Sequence, residues 1–198
     1  QRKVKDFIKE MPARLKEYHE VFSGNVIAQN RLKGVGFLSR EEAINYGVTG
    51  PSGRGSGWAC DVRKRSPYAA YDKVQFDEVL YNEGDSYARY MVRMKEIEQS
   101  LHILEQLVDN IPEGDYLAKT KPIIKVPEGR YFKEVEAARG AFGIYLESRG
   151  DKFPYRLKVN SPGFNLVGAV DHMTRGSKIA DLIAIGGSLD YVVPDIDR

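Results

Sequence analysis

The chain has 198 residues, 42% of them hydrophobic and 29% charged, a balance typical of a folded globular protein and unlike that of a disordered one. The formal net charge is +2, with acids and bases interspersed, so the charge pattern gives no indication of nucleic-acid binding. The single cysteine, Cys60, excludes an internal disulfide and a cysteine-cluster metal site within the chain. No apolar run approaches the ~20 residues of a membrane span, and we expect no signal peptide.

The N-terminal residues show the pattern of an amphipathic helix. Apolar residues recur every three or four positions from Val4 to Phe22, which predicts a helix interrupted or kinked at Pro12 and ended at Gly24. The first residue is Gln1 rather than methionine, and the helix is already under way there. We therefore expect the chain to be part of a longer protein.

Two short helices are predicted next. The stretch from Asn25 to Leu32 has a helical composition and is closed by Gly34. Ser39 and Glu42, three residues apart, form the signature of a capping box that opens a second short helix.

The segment from Gly47 to Gly57 contains five glycines in eleven residues. A phosphate-binding loop would need Gly-Lys-Ser/Thr at the start of a helix, and a dinucleotide fingerprint would need G-x-G-x-x-G after a strand. Neither spacing is present here. The segment is predicted to be a tight loop that uses positive φ angles or allows another chain to approach closely.

An irregular, aromatic-rich stretch follows, from Trp58 to Asp77. Its basic triplet, Arg63-Lys64-Arg65, is typical of a solvated turn. Its aromatic side chains are predicted to anchor a long loop on the core; they are Tyr68, Tyr71 and Phe76.

The longest predicted helix begins after Asp85, a good N-cap, and runs to Pro112, with an apolar stripe throughout. Arg89 and Arg93 lie one turn apart on a common face. They could clamp an anion, but a solvated or ion-paired flank of the helix is the favoured interpretation.

The C-terminal third changes character. Phe142–Leu146 and Tyr155–Val159 have the composition of strands, and the turn between them predicts an antiparallel hairpin. Leu166–Thr174 is predicted to be a short helix. Helices dominate and one hairpin lies near the end, so the fold class is α+β.

The closing segment combines an apolar stretch, Ile179–Ile185, with two glycines and a short tail that ends on Arg198. The apolar stretch predicts a helix packed on the chain's own core. The tail carries three aspartates and does not look like a frayed terminus, so it is a candidate for entering a cavity.

Several stretches in this order resemble the quinone-site subunit of the proton-pumping NADH:quinone oxidoreductase, respiratory complex I. No single motif is decisive, but the set spans essentially the whole chain and corresponds to about the C-terminal half of the family's subunit. We therefore expect residues 1–198 to be the C-terminal half of the domain that forms this subunit. The matching stretches are Gly47–Ser52 with Arg54–Gly57; Asp61–Lys64 with Pro67-Tyr68 and Tyr71-Asp72; Gly84-Asp85 with Arg89-Tyr90 and Val92–Met94; Glu136–Gly140; Pro154–Lys158; and Ile179–Asp181 with Gly187–Asp190 and Asp197-Arg198.

The resemblance also implies a fold like that of the large subunit of nickel–iron hydrogenases. Those proteins end in a tail whose cysteine thiolates bind the metals. The corresponding tail here, residues 190–198, has neither cysteine nor histidine. Since thiolates are the ligands that hold nickel in such sites, we expect no metal in this chain.

In this family the former metal pocket is the cavity for a quinone headgroup. The resemblance implies that Asp190, Val192 and Arg198 belong to the tail bordering this cavity and that Arg139 lies near it. A buried Arg–Asp pair beside a quinone is chemically reasonable, because reduction adds negative charge that protons or a cation must balance. An ion pair that merely fixes the tail is an equal alternative.

The remaining implications concern partners. The substrate is quinone, and electrons come from an iron–sulfur cluster held by a neighbouring subunit. The His and Tyr that hydrogen-bond the quinone lie in the N-terminal half of the family's subunit, so the chain alone is expected to be inactive. Further expected partners are other complex I subunits, including the membrane subunit at the quinone entrance, on the cytoplasmic face of the bacterial inner membrane. The alternatives are a non-catalytic docking scaffold of the same assembly or a relative of the hydrogenase large subunit.

Overall fold

The computed structural model describes residues 1–120 and 122–197. It confirms the α+β class and places a small antiparallel sheet between two groups of helices along the chain. The helices are α1 (Arg2–Tyr18), α2 (Val26–Leu32), α3 (Arg40–Tyr46), α4 (Gly50–Arg54), α5 (Val62–Arg65), α6 (Ser86–Leu107), α7 (Pro162–Gly168), α8 (Val170–Thr174), α9 (Ile179–Leu189) and α10 (Val193–Ile196), and the strands are β1 (Gly129–Ala137), β2 (Gly140–Ser148) and β3 (Arg156–Asn160).

Helix α1 runs through Pro12 without the interruption that the sequence suggested. It continues into a π-helical turn, His19–Ser23, before ending at Gly24 as predicted. In that turn Nδ1 of His19 lies 2.8 Å from Oγ of Ser23, and the same hydroxyl lies 2.8 Å from the Tyr90 hydroxyl on α6. The turn therefore fastens the end of α1 to the long helix.

Two of the predicted helix starts are confirmed in detail. The Ser39 hydroxyl accepts a hydrogen bond from the Glu42 amide, and the Glu42 carboxylate accepts one from the Ser39 amide, which is the complete capping box. The Asp85 carboxylate accepts from the Ala88 amide and opens α6. The helix itself ends at Leu107, earlier than the predicted stop at Pro112.

The glycine-rich segment is not entirely a loop. It contains the short helix α4, whose residues are all buried, so the predicted loop is wrong for Gly50–Arg54. The predicted positive φ angles occur at Gly47 and Gly50, each with a φ of 68°, and at Gly57, with a φ of 77°. The close approach is made by the same chain: a Cβ on Gly50 would lie 2.4 Å from Cα of Gly140. The backbone of α4 thus packs directly against the β1–β2 turn.

The predicted hairpin is confirmed as β2 and β3, with Leu146 opposite Leu157. The sequence missed β1, which adds a third strand on the other side of β2. Strand β1 is an edge strand with charged residues at several positions, so it lacks the apolar alternation that signals a half-buried strand. Its two-residue connection to β2 is Ala138-Arg139.

The C-terminal segment differs from prediction in two ways. Two short helices, α7 and α8, replace the single one expected over Leu166–Thr174. Helix α9 does not end at the glycine pair but continues through Gly186 and Gly187 to Leu189. It does so because Ile185 and Leu189 are both fully buried in the main core, so packing on each side of the glycines outweighs their low helix propensity. That core consists of Leu38, Ala43, Val48, Leu166, Ala169, Met173, Ile185 and Leu189.

Because no side chain fits between Gly50 and Gly140, we expect Gly50→Ala to destabilise the chain by about 3 kcal/mol or more. The matched control is Gly34→Ala. Gly34 has a similar φ of 69°, but a Cβ there would meet nothing within 4 Å, so only the conformational cost of about 1 kcal/mol applies. Urea unfolding of the two variants measures the difference; equal midpoints would contradict the packing interpretation.

Candidate functional site

The candidate site is built around the C-terminal end of α9. Asp190 caps this helix in the left-handed conformation, with a φ of 59°, and its amide donates to the carbonyl of Gly186. Aspartate is one of the few residues other than glycine that adopt this conformation readily. The cap turns the chain sharply, so that the tail leaves the helix at the point where the Asp190 carboxylate sits.

Arg139 reaches this cap from the β1–β2 turn. Its Nε donates to the backbone carbonyl of Asp190 and lies 3.7 Å from the carboxylate oxygen Oδ2. The structure therefore brings together two residues that are far apart in sequence and that were both predicted for the site. The pair is less enclosed than expected, since the side chains of Arg139 and Asp190 are 29% and 46% exposed in this chain.

A second arginine, Arg93 on α6, completes the cluster. It donates from Nη1 to the carbonyl of Arg89 at 2.9 Å and from Nη2 to the carbonyl of Leu189 at 3.4 Å. Burial lowers the pKa of Arg93, and the negative charge of Asp190 acts in the opposite direction. Two guanidinium groups thus face the carbonyl end of α9, where the helix dipole favours positive charge. Arg93 is not among the predicted site residues; the signals for it are its place one turn after Arg89 and its position in the matching stretch Val92–Met94.

The rest of the predicted tail is partly described. Val192 lies at the N-cap position of α10 with extended backbone, and its side chain is partly exposed. Asp195 accepts a hydrogen bond from the Gly163 amide at 2.9 Å and so docks the tail on α7. Arg198 lies outside the described residues. An open depression of about 390 Å³ runs along α9 into the cap and is lined by Leu182, Ile183, Gly186, Gly187, Asp190 and Tyr191.

Arg89 contradicts the prediction of a solvated or ion-paired flank. Its side chain is fully buried, and its hydrogen-bond partners are neutral: Nε donates to Oγ of Ser188, Nη1 to the carbonyl of Gly84 and Nη2 to the carbonyl of Gly36. Burial lowers the pKa of Arg89 to about 9, with Asp85 opposing the shift, so the guanidinium remains charged at neutral pH. Arg89 fixes α9 to α6 immediately before the Asp190 cap.

A fourth arginine, Arg54 on α4, bridges two carboxylates inside the molecule. Its guanidinium is 2.6 Å from Glu96 of α6 and 2.8 Å from Glu136 of β1, and its side chain is only 1% exposed. Burial opposes the charge of Arg54, but the two carboxylates outweigh this effect and raise its pKa. Because the three groups come from α4, α6 and β1, they join the sheet to the helices behind the candidate site.

The basic triplet, predicted to be a solvated turn, forms helix α5 instead. Its first member, Arg63, is mostly buried and makes a bidentate ion pair with Asp61 at 2.6 Å. Burial alone would raise the pKa of Asp61, but the hydrogen bonds and charge of Arg63 outweigh it and lower that pKa. Phe76 packs in a buried cluster with Val74 and Ile103 of α6, and Tyr71 packs against it, which confirms that these aromatic residues anchor the loop on the core. Both rings also lie beside the Arg63 guanidinium.

Within residues 1–120 and 122–197, no three His, Cys, Asp or Glu side chains are grouped so that they could hold a metal ion. In the same part of the chain, no helix is both long enough and apolar enough to cross a bilayer. The chemistry that the described cluster offers is electrostatic: cations and a carboxylate gathered at a helix end beside an open depression.

These features define a helical protein whose C-terminal helix end is surrounded by arginines, and comparison with known proteins identifies its class. The chain matches the family model for the 49 Kd subunit of respiratory-chain NADH dehydrogenase over residues 1–125 and 119–198, and it belongs to that family. This result confirms the resemblance seen in the sequence motifs.

Individual relatives agree with this family assignment. The chain is 67% identical over 196 residues to an NADH-quinone oxidoreductase subunit of the C/D type from Phocaeicola vulgatus, covering 99% of the chain and 38% of that protein. It is 51% identical to a D-type subunit from Desulfotalea psychrophila, covering 98% of the chain and 53% of the relative, and 45% identical to one from Bacillus mycoides, covering 98% and 54%. The chain thus spans about half the length of the D-type relatives.

Replacing Arg89 by methionine, which has a similar length, removes the donor to the buried Gly36 carbonyl, one of the two donors to the Gly84 carbonyl and the link to the Ser188 hydroxyl. We expect Arg89→Met to destabilise the chain by about 3 kcal/mol and to loosen the end of α9. The control is Arg175→Met, which removes an exposed ion pair with Asp171 and should leave the urea midpoint unchanged. Amide hydrogen exchange over residues 185–190 reports the local effect, and unaltered exchange in Arg89→Met would show that Arg89 does not hold this helix end.

Proposed function

We propose that the chain is the C-terminal half of the quinone-site subunit of an NADH:quinone oxidoreductase and forms part of its quinone-reduction cavity. One observation carries the proposal: in a member of this family, the fold brings Arg139 to the Asp190 cap at the end of α9. Both residues were expected at the quinone cavity from sequence motifs far apart in the chain. Val192 and Arg198 complete the proposed set on the same tail.

The proposed chemistry follows from charge balance. A quinone that accepts two electrons also binds two protons, and negative charge on the headgroup must be balanced while the protons arrive. Arg139 and Arg93 supply fixed positive charge beside Asp190, and preorganised charges of this kind stabilise a developing anion without reorganisation. Asp190 offsets these cations when the headgroup is neutral, so the site is not left with unpaired positive charge.

The remaining parts of the reaction belong to other segments and subunits. The electrons come from an iron–sulfur cluster in a partner subunit, and the His and Tyr that bind the quinone headgroup belong to the N-terminal half of the quinone-site subunit. The chain therefore works only within the assembly, next to the cluster-bearing subunit and the membrane subunit at the quinone entrance. Its place is the peripheral arm at the cytoplasmic face of the bacterial inner membrane.

A docking role is the second candidate, and exposed apolar side chains favour it. Arg31 of α2 donates to the carbonyl of Ala180 and pairs with Asp181 at 3.2 Å, so α2 and α9 lie side by side. On these two helices Ile27 and Ile183 are largely exposed to solvent. Apolar side chains exposed together are typical of surfaces that contact other proteins.

A hydrogenase-like activity is the third candidate, and the donor set of the tail opposes it. Residues 190–198 provide carboxylates and one guanidinium but no thiolate or imidazole, which are the groups that bind nickel in proteins. Metal analysis of the purified complex tests this point directly: nickel in stoichiometric amount would overturn the quinone proposal in favour of this one.

Asp190→Asn and Arg139→Lys test the quinone function in the intact complex. Asparagine also adopts the left-handed conformation, so the first variant removes the charge and keeps the helix cap. We expect NADH:quinone reduction to fall by about tenfold or more. Electron transfer from NADH to an artificial acceptor that bypasses the quinone should be retained. Asp197→Asn, in the same tail, is the matched control and should retain quinone reduction.

The outcomes separate the first two candidates. Complexes that assemble normally but reduce quinone slowly support the cavity proposal. Variants that lose assembly, while any complex formed keeps normal turnover, support the docking role instead. If assembly and quinone reduction are both unchanged, the assignment of Arg139 and Asp190 is wrong.

A further inference from the structure

Several arginines and carboxylates form a row of charges that runs from the Asp190 cap towards the interior. At one end, Asp190 is paired with Arg139 and faces Arg93. Glu96 lies three residues after Arg93 on α6, on the same side of the helix, and its negative charge also acts on Arg93. The row therefore continues from the proposed quinone site into the interior.

Beyond Glu96 the row reaches Arg54 and then Glu136, through contacts of 2.6 Å and 2.8 Å. One guanidinium is shared here by two carboxylates, so this buried group carries one more negative than positive charge when both acids are ionised. Of the other cations nearby, Arg63 is bound by Asp61, and Arg93 donates to the backbone carbonyls of Arg89 and Leu189 and not to Glu96. Because the two carboxylates share one guanidinium, one of them is the place where a proton would bind.

Of the two carboxylates, Glu96 has fewer interaction partners. Glu136 accepts from Arg54 through Oε1 and from the Val62 amide through Oε2, at 3.0 Å. In the part of the chain that the structure describes, the carboxylate of Glu96 has Arg54 as its one partner. Burial raises the pKa of Glu96, Glu136 adds to the shift, and Arg54 and Arg63 oppose it.

Glu96 is also the member of this group that water can reach. Its side chain is 18% exposed, against 5% for Glu136 and 1% for Arg54. Oε1 of Glu96 is enclosed beside Arg54, so a proton from solvent would approach this carboxylate from the more exposed side of the side chain.

We propose that Glu96 is a proton-binding group that takes up a proton from water when negative charge forms beside Asp190, and releases it when that charge is neutralised. This proposal rests on the proposed quinone function. Two electrons from the partner's iron–sulfur cluster reduce the headgroup, which itself binds two protons. Until those protons arrive, the added negative charge raises the free energy of each carboxylate anion in the row. The carboxylate with the fewest hydrogen-bond and ion-pair partners is then protonated first. The protonation state of Glu96 thus depends on the redox state of the quinone beside Asp190.

The test uses the intact complex and infrared difference spectra between its oxidised and reduced states. In the unaltered complex and in Glu98→Gln, reduction should produce a protonated-carboxyl band. Glu98 is a suitable control because it is an exposed acid on the same helix, paired with Lys95. Glu96→Gln should abolish the band. Quinone reduction should slow at alkaline pH in the unaltered complex, where Glu96 cannot hold a proton, and this slowing should disappear in Glu96→Gln.

A second variant covers the case in which Glu96→Gln does not assemble. Glu136→Gln leaves Arg54 to Glu96 alone, so it should weaken the band by lowering the proton affinity of Glu96. A band that persists in Glu96→Gln, or one that is unchanged in Glu136→Gln, overturns the proposal.

The quinone function is judged by separate measurements. If Asp190→Asn and Arg139→Lys slow quinone reduction while the unaltered complex shows no carboxyl band, the Glu96 proposal fails and the quinone function stands. If those two variants leave quinone reduction unchanged, the quinone function fails, and the Glu96 proposal that rests on it fails too.

Discussion

The buried guanidinium of Arg89 is the interaction on which the rest of the structure depends. It hydrogen-bonds to segments that are far apart in the chain: the glycine turn at Gly36, the entry to α6 at Gly84 and the last turn of α9 at Ser188. A charged group without a carboxylate partner is costly to bury, so these neutral acceptors must all be in place at once. Their positions in turn determine where α9 ends and where the Asp190 cap lies.

A second constraint acts on the other side of the site. Gly50 and Gly140 approach so closely that the sheet cannot move towards α4 without steric overlap. Moving the sheet away would lose this backbone contact. The Thr49 hydroxyl accepts a hydrogen bond from the Ala141 amide at 2.9 Å and fixes the direction of approach. Arg139 belongs to the turn held in this way, so its reach to Asp190 is a consequence of glycine packing and not of the arginine itself.

The sequence predicted those features that depend on neighbouring residues. The capping box at Ser39, the cap at Asp85 and the hairpin of β2 and β3 were all visible because the groups that stabilise them lie within a few residues of one another. The charged edge strand β1 and the continuation of α9 through its glycines were not visible. The continuation of α9 depends on packing against segments that are distant in the chain. Strand β1 pairs with the adjacent β2, but its charged residues have distant partners, such as Arg54 for Glu136.

The candidate site shows the same division. The motifs drew attention to Arg139 and Asp190, and the fold brings them together. The stretch Val92–Met94 was among the motifs, but it did not indicate that Arg93 would lie beside this pair. The local residue pattern predicted the wrong environment for Arg89 and Arg63, because burial of an arginine is decided by acceptors that only the folded chain assembles. Charged residues on a helix flank are usually solvated, and that general rule failed here at the positions nearest the site.

The two-residue connection between β1 and β2 has a consequence for how members of this family can differ in length. One residue added at Ala138-Arg139 would change the direction of the arginine relative to the helix cap, because side chains alternate between the faces of a strand. The opposite end of the sheet, around residues 149–154, is exposed and lies away from the cap. Insertions and deletions in relatives should therefore accumulate at that end, while the short turn keeps its length even where its residues change.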